Sequence, residues 1–357
     1  MQDRKKHTAA DAPPPYGAGT PQSAERAGPA PENAPEQTEK KRRFAPSLTA
    51  PLLVLGVFVL LLLVRLISPG IFDRDNEVIL LTVVQVLIFM VPAVIYIRTC
   101  RVSFRRLRFV PFGLNSLLLV ISAVVAASAG SLLLGFAASG YDDFSKTYTL
   151  YGAFSAPSGG GAVSILYLAT VYAALPAFCE EFVFRSVMCA EYESDSGSFS
   201  AVVLTAVWFA MLHFDLQSFP VYFFSGILLA LTLYSARSFF AAFCVHLGYN
   251  LISLFAPPLW RTVYDAGGKT LYFLIVGLLF LLSMVVFCGE AARLYGWYSD
   301  NDIKPDYRRQ IMSDRGTDDA PRGGALKRAL AGNLRAFLAP SALLCYLIYI
   351  AVMLFIK

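Results

Sequence analysis

The chain has 357 residues, 56% of them hydrophobic and only 15% charged, and its mean hydropathy is +0.56. A soluble globular domain carries about a quarter charged residues, so this balance excludes an ordinary soluble enzyme. The net charge of +5 is gathered in short basic clusters that each abut an apolar block, which speaks for membrane topology and against a nucleic-acid-binding surface.

Residues 1–46 are rich in Pro, Ala, Gly, Gln and charge and hold no apolar block, so they are expected to form a disordered tail on the cytoplasmic side. Nine hydrophobic blocks follow, centred near Val59, Ile88, Ala126, Ala173, Thr205, Leu228, Leu247, Phe280 and Tyr346. They predict an all-α polytopic transmembrane bundle of about eight or nine spans, since a helix needs roughly 20 apolar residues to cross a bilayer. Phe199–Phe214 and Phe239–Pro257 are short and carry polar groups, and read as helices sheltered inside the bundle. The expected organisation is a transmembrane core at 47–289, a cytoplasmic basic segment at 290–335 and a C-terminal transmembrane helix at 336–357.

Basic residues fall in the tail (Lys40 to Arg43), in Arg98–Arg108 and in Arg293–Arg335. If the N-terminus is cytoplasmic, alternation puts Tyr141–Lys146 outside and all three clusters inside, as the distribution of Lys and Arg requires. Arg101–Phe109 mixes basic and apolar side chains and is expected in the headgroup layer. The six cysteines lie in or beside apolar blocks with no Cys-x-x-Cys pair, which predicts neither a disulfide framework nor a thiolate zinc site.

Ionisable groups inside an apolar span cost about 3 kcal/mol each on insertion scales, so those present are functional candidates. Glu180 and Glu181 stand together in Leu175-Pro176-Ala177-Phe178-Cys179-Glu180-Glu181-Phe182-Val183-Phe184-Arg185. Glu181 and Arg185, four apart, can pair on one helix face. Glu180 is turned about 100° away and is left available as a general base.

Of the three histidines, His213 and His246 lie in hydrophobic segments, and His246 and Asn250 share a helical face. Together these groups suggest one polar site holding a water molecule. Glu180 and His213 would polarise that water for attack on a carbonyl, and His246 and Asn250 would donate to the oxyanion that forms. The same buried Glu and His would also suit a proton-coupled transporter, although no inverted repeat is visible.

The ordered set Glu180-Glu181-x-x-x-Arg185, Phe209-x-x-x-His213 and His246-x-x-x-Asn250 resembles the CPBP family of CAAX prenyl endoproteases and bacteriocin-processing or Abi-type proteins. The resemblance covers about a quarter of the chain, residues 161–255. It implies an intramembrane endopeptidase acting on a membrane-anchored peptide or protein within the lipid bilayer. By that similarity Glu180 and His213 match the water-activating pair, His246 and Asn250 the oxyanion-stabilising pair, and Glu181 and Arg185 supporting positions. A non-catalytic scaffold binding hydrophobic peptides is the remaining reading within the family, and its site residues would be expected to have decayed.

The family is often labelled a metalloprotease, and Glu180, His213 and His246 could supply three ligands to zinc with water as the fourth. No His-Glu-x-x-His is present, and the resemblance to a glutamate-dependent CAAX protease favours a route with no cofactor.

Overall fold

Long apolar runs with no periodic polar face leave the backbone one way to satisfy itself in hydrocarbon, which is to close its hydrogen bonds within each helix. The computed structural model of the chain describes residues 45–71, 77–139, 162–301 and 331–355, and among these there is helix and no strand. The expectations for the tail up to residue 44, for Tyr141–Lys146 and for most of 290–335 lie outside the described residues.

The helices are α1 (Pro46–Ile71), α2 (Glu77–Cys100), α3 (Leu117–Ser139), α4 (162–196), α5 (Ser198–Met211), α6 (Phe219–Ala236), α7 (Phe239–Phe255), α8 (Pro257–Asp300) and α9 (Pro340–Phe355). Each of the nine block centres read from the sequence falls in one of them. Six of these helices are long and apolar enough to cross a membrane, or seven if the bent pair Ala331–Phe337 and α9 is counted as one span. The short α5 and α7 are not among them, and the sheltering expected of these two is what the burial shows: Leu204, Ala206 and Trp208 on α5 and Ala241, Ala242 and Val245 on α7 are fully buried.

Outward faces are apolar, as lipid contact requires. Val83, Leu87, Val91 and Ile95 form an exposed stripe at four-residue spacing on α2, and Leu274, Leu278 and Leu282 do the same on α8. The non-helical backbone at Gly267 and Gly268, with φ of +61° at the second, breaks α8 near its start. Only glycine takes that conformation without strain.

Helix α4 is the spine, packed on α1, α2, α5 and α7. It is not a uniform α-helix. Ala169–Ala174 and Phe182–Met188 are π-helical, with Leu175 N–H reaching Thr170 O and Cys189 N–H reaching Phe184 O, each five residues back. Pro176 supplies a reason for the first, because it has no N–H to close the usual bond one turn back.

Between the glutamate pair and the end of α4 every residue from Glu181 to Glu193 is buried, so the helix does not stop at the carboxylates. Three acidic side chains near its end tie it to other segments. Tyr96 donates to Glu191 at 2.8 Å and shares a 2.9 Å bond with Thr49; Arg108 grips both oxygens of Glu193 at 2.9 and 3.0 Å; Asp195 accepts from the backbone N–H of Ser47 at 3.3 Å.

The connection after α2 packs one side against the bundle. Leu107 is fully buried, Ser186 donates to its carbonyl at 3.0 Å, and the N–H of Phe239 donates to Arg108 O at 2.9 Å. Phe109 stacks on Phe239 with centroids 4.3 Å apart. Only the other side of the segment, with Arg101, Phe104 and Arg105, is exposed.

Small residues allow the closest approach in the bundle. A Cβ on Gly226 of α6 would stand 2.9 Å from the Cα of Ala206 on α5, so glycine is what lets these two helices touch.

Candidate active site

The three motifs sit on α4, at the end of α5 and on α7, and the fold brings them to one cleft. Glu180, Phe209, His213, His246 and Asn250 all line a cavity of about 200 Å³.

Glu181 and Arg185 are buried completely, and Arg185 Nη1 lies 3.0 Å from Glu181 Oε1, making the pair expected from their spacing. Arg185 Nη2 also donates to Gly226 O at 3.1 Å, and its guanidinium lies 4.7 Å above the ring of Phe209. A cation held on three sides in this way is the condition under which a buried carboxylate is tolerated. Glu181 in turn holds His246, with Nδ1 at 2.8 Å from Oε1.

Glu180 is turned away from this pair, as the helical geometry requires, and its Oε2 lies 3.9 Å from His246 Nε2. The two ring nitrogens of His246 are therefore shared between adjacent glutamates, one anchoring and one facing the cleft.

His213 is placed by the way α5 ends. Its own N–H bonds to Ala210 O at 3.3 Å, one residue short of the α-helical partner, which leaves Phe209 O open. The imidazole fills that gap, Nδ1 donating to Phe209 O at 2.9 Å. A carbonyl can only accept, so Nδ1 carries the proton and Nε2 keeps a lone pair. Tyr222 of α6 stacks on the ring with centroids 3.6 Å apart. Phe214, next in the chain, has φ of +51°, a left-handed conformation that turns the backbone sharply out of the helix.

Asn250 lies in the cleft wall and donates from Nδ2 to Ala173 O at 3.3 Å, in the first π-turn of α4. Its second N–H is not used in that bond.

The zinc expectation for Glu180, His213 and His246 finds no support. Among the described residues no three His, Cys, Asp or Glu side chains are arranged to hold a metal ion.

Sequence reasoning missed the aromatic wall of the cleft, formed by Tyr172, Tyr222 and Tyr249, and the three acidic ties Glu191, Glu193 and Asp195. The ties had a signal: acidic residues at alternate positions directly after an apolar helix that bears a glutamate pair.

The fold and the cleft define an integral membrane protein with a polar cleft buried among its helices. Residues 162–252, about a quarter of the chain, match the family described as Type II CAAX prenyl endopeptidase Rce1-like, in support of the CAAX-protease resemblance. Neither the curated proteins nor the solved structures yield a match.

Proposed function

We propose that the chain is an intramembrane endopeptidase that hydrolyses a peptide bond of a membrane-associated substrate, with water activated by Glu180 and His213. The observation that carries this reading is the single cleft in which Glu180, His213, His246 and Asn250 converge from three separate helices.

The scissile carbonyl sits between the two pairs. Glu180 takes a proton from water as the water oxygen bonds to the carbonyl carbon, and His213 Nε2 accepts the hydrogen bond that orients the same water. The carbonyl oxygen becomes an oxyanion that receives N–H bonds from His246 Nε2 and Asn250 Nδ2. With Nδ1–H on Glu181, a proton on Nε2 makes the ring an imidazolium, whose charge Glu181 balances. Collapse breaks the C–N bond, and Glu180 returns its proton to the leaving amine. The products are a carboxylic acid and a free amine, with Glu180 ionised again, and the acid then gives its proton to the amine.

A cytoplasmic N-terminus is part of the same proposal. In support, Arg293, near the end of α8, donates to Asn115 O at 2.5 Å, which brings the start of the third basic cluster near the chain that follows the second. The start of α1 lies near the second cluster too, because Asp195 holds Ser47 there while Glu193, two residues before it, holds Arg108. A cytoplasmic N-terminus satisfies the distribution of Lys and Arg.

The test is Glu180→Gln in purified, folded protein, assayed on a membrane-anchored peptide with an internally quenched fluorophore. Near-complete loss of cleavage is expected; undiminished turnover removes Glu180 from the mechanism.

A further inference from the structure

A second cavity of about 210 Å³ adjoins the first, and Glu180, Phe209 and His213 line both. Its far wall comes from α1 and α2, with Leu61, Val64, Val84, Ile88 and Phe89. The exception in this apolar wall is Gln85. Between Val83 and Ile95 it is the one polar side chain of α2, it is half-buried, and its amide makes no hydrogen bond among the described residues.

An amide without a partner on an otherwise apolar wall is disfavoured, and a chamber wall built only for lipid chains has no use for one. A peptide inside the bilayer has the reciprocal problem. Once it leaves helical form to reach a catalytic carboxylate, its own N–H and C=O groups lose their partners. The glutamine side chain carries an acceptor oxygen and donor hydrogens side by side, which matches the N–H and C=O of one residue in an extended strand.

Building on the endopeptidase reading above, we infer that Gln85 is a substrate-binding residue, pairing with the backbone of an extended apolar peptide in the α1/α2 chamber. The strand then runs from that chamber past Phe209 to the carboxylate of Glu180. Its side chains lie against Val84, Ile88 and Leu61, so the chamber selects apolar residues while Gln85 fixes the register of the chain.

The test is binding, read separately from cleavage. Full-length protein in phosphatidylcholine nanodiscs is titrated with a short dansyl-labelled all-leucine peptide, with its fully N-methylated form and with a dansyl fatty alcohol. Gln85→Leu is expected to weaken peptide binding by roughly three- to tenfold, the worth of one or two hydrogen bonds, and to leave the fatty alcohol unaffected. The N-methylated peptide should bind the unaltered protein as weakly as the unmodified peptide binds the variant. Gln85→Asn, which withdraws the amide by one methylene, should show the same loss and serves if the leucine variant does not fold. Equal or tighter peptide binding by the variants overturns the inference, as does absence of peptide binding by the unaltered chain. The endopeptidase reading fails on a different readout, retained cleavage in Glu180→Gln, so the two can be told apart.

Discussion

His213 caps the helix it ends, its Nδ1 standing 2.9 Å from the carbonyl oxygen of Phe209 one turn earlier. The bond does two things at once: it satisfies a carbonyl that the frayed last turn leaves open, and it fixes the tautomer so that Nε2 is the basic nitrogen.

Asparagine and glutamine should therefore part company at this position. His213→Asn places an amide nitrogen near Nδ1 and keeps the cap, so the protein should unfold at close to its normal temperature yet lose cleavage. His213→Gln reaches toward Nε2 and forfeits the cap, and should lower the melting temperature as well. Thermal unfolding in detergent alongside a cleavage assay distinguishes them; activity retained in His213→Asn would remove Nε2 from the mechanism.

The pair Glu181–Arg185 is fully buried, and removing one partner strands the other. Arg185→Leu is expected to cost about 3–5 kcal/mol of stability, whereas the double variant Arg185→Leu with Glu181→Leu should recover part of that loss. Cleavage should stay abolished in the double variant, because His246 loses the carboxylate that holds Nδ1. Denaturation of the three proteins side by side gives the coupling.

Asn250 is assigned to the transition state and not to substrate capture. Asn250→Ala should lower kcat by about 10²–10³-fold with little change in KM, the usual size of one oxyanion donor. Asn250→Asp, which puts a negative charge beside a developing one, should be worse still. A rise in KM at constant kcat would contradict the assignment.

Gly226 carries both the close approach of α5 and α6 and the carbonyl that receives Arg185. Gly226→Ala pushes a methyl against the backbone of Ala206, which cannot move like a side-chain tip. The expected cost is about 1–3 kcal/mol, read from the unfolding midpoint.

Metal dependence has a direct check. Cleavage by protein treated with a zinc chelator should equal that of untreated protein. Stoichiometric zinc in the purified chain, with cleavage lost on its removal and restored on its return, would reverse the assignment of Glu180 from base to ligand.

Much of this arrangement was legible before any geometry. Block hydrophobicity gave the helices, because in a bilayer each helix must satisfy its own backbone and so announces itself by length and composition. Helical spacing predicted the pairing of Glu181 with Arg185 and the separate facing of Glu180, since a four-residue step and a one-residue step differ by fixed angles. The rest depended on groups with no local signature. The carbonyls of Phe209, Gly226 and Ala173 hold His213, Arg185 and Asn250, and every residue has a carbonyl. Composition also did not reveal the partners of Arg101–Phe109, where Leu107 and Phe109 turn inward onto α4 and α7. No proline or glycine marks the second π-turn, Phe182–Met188.

Those wide turns make the layout of α4 a question of counting. Each residue advances an α-helix by about 100° and a wide turn by somewhat less, so one residue deleted from 182–188 without a change of turn would swing everything beyond it through roughly a quarter circle. Glu191, Glu193 and Asp195 would then face away from Tyr96, Arg108 and Ser47 although no side-chain type among them had changed. In this spine the phase of the chain matters as much as its chemistry, and insertions or deletions there should be tolerated far less than substitutions.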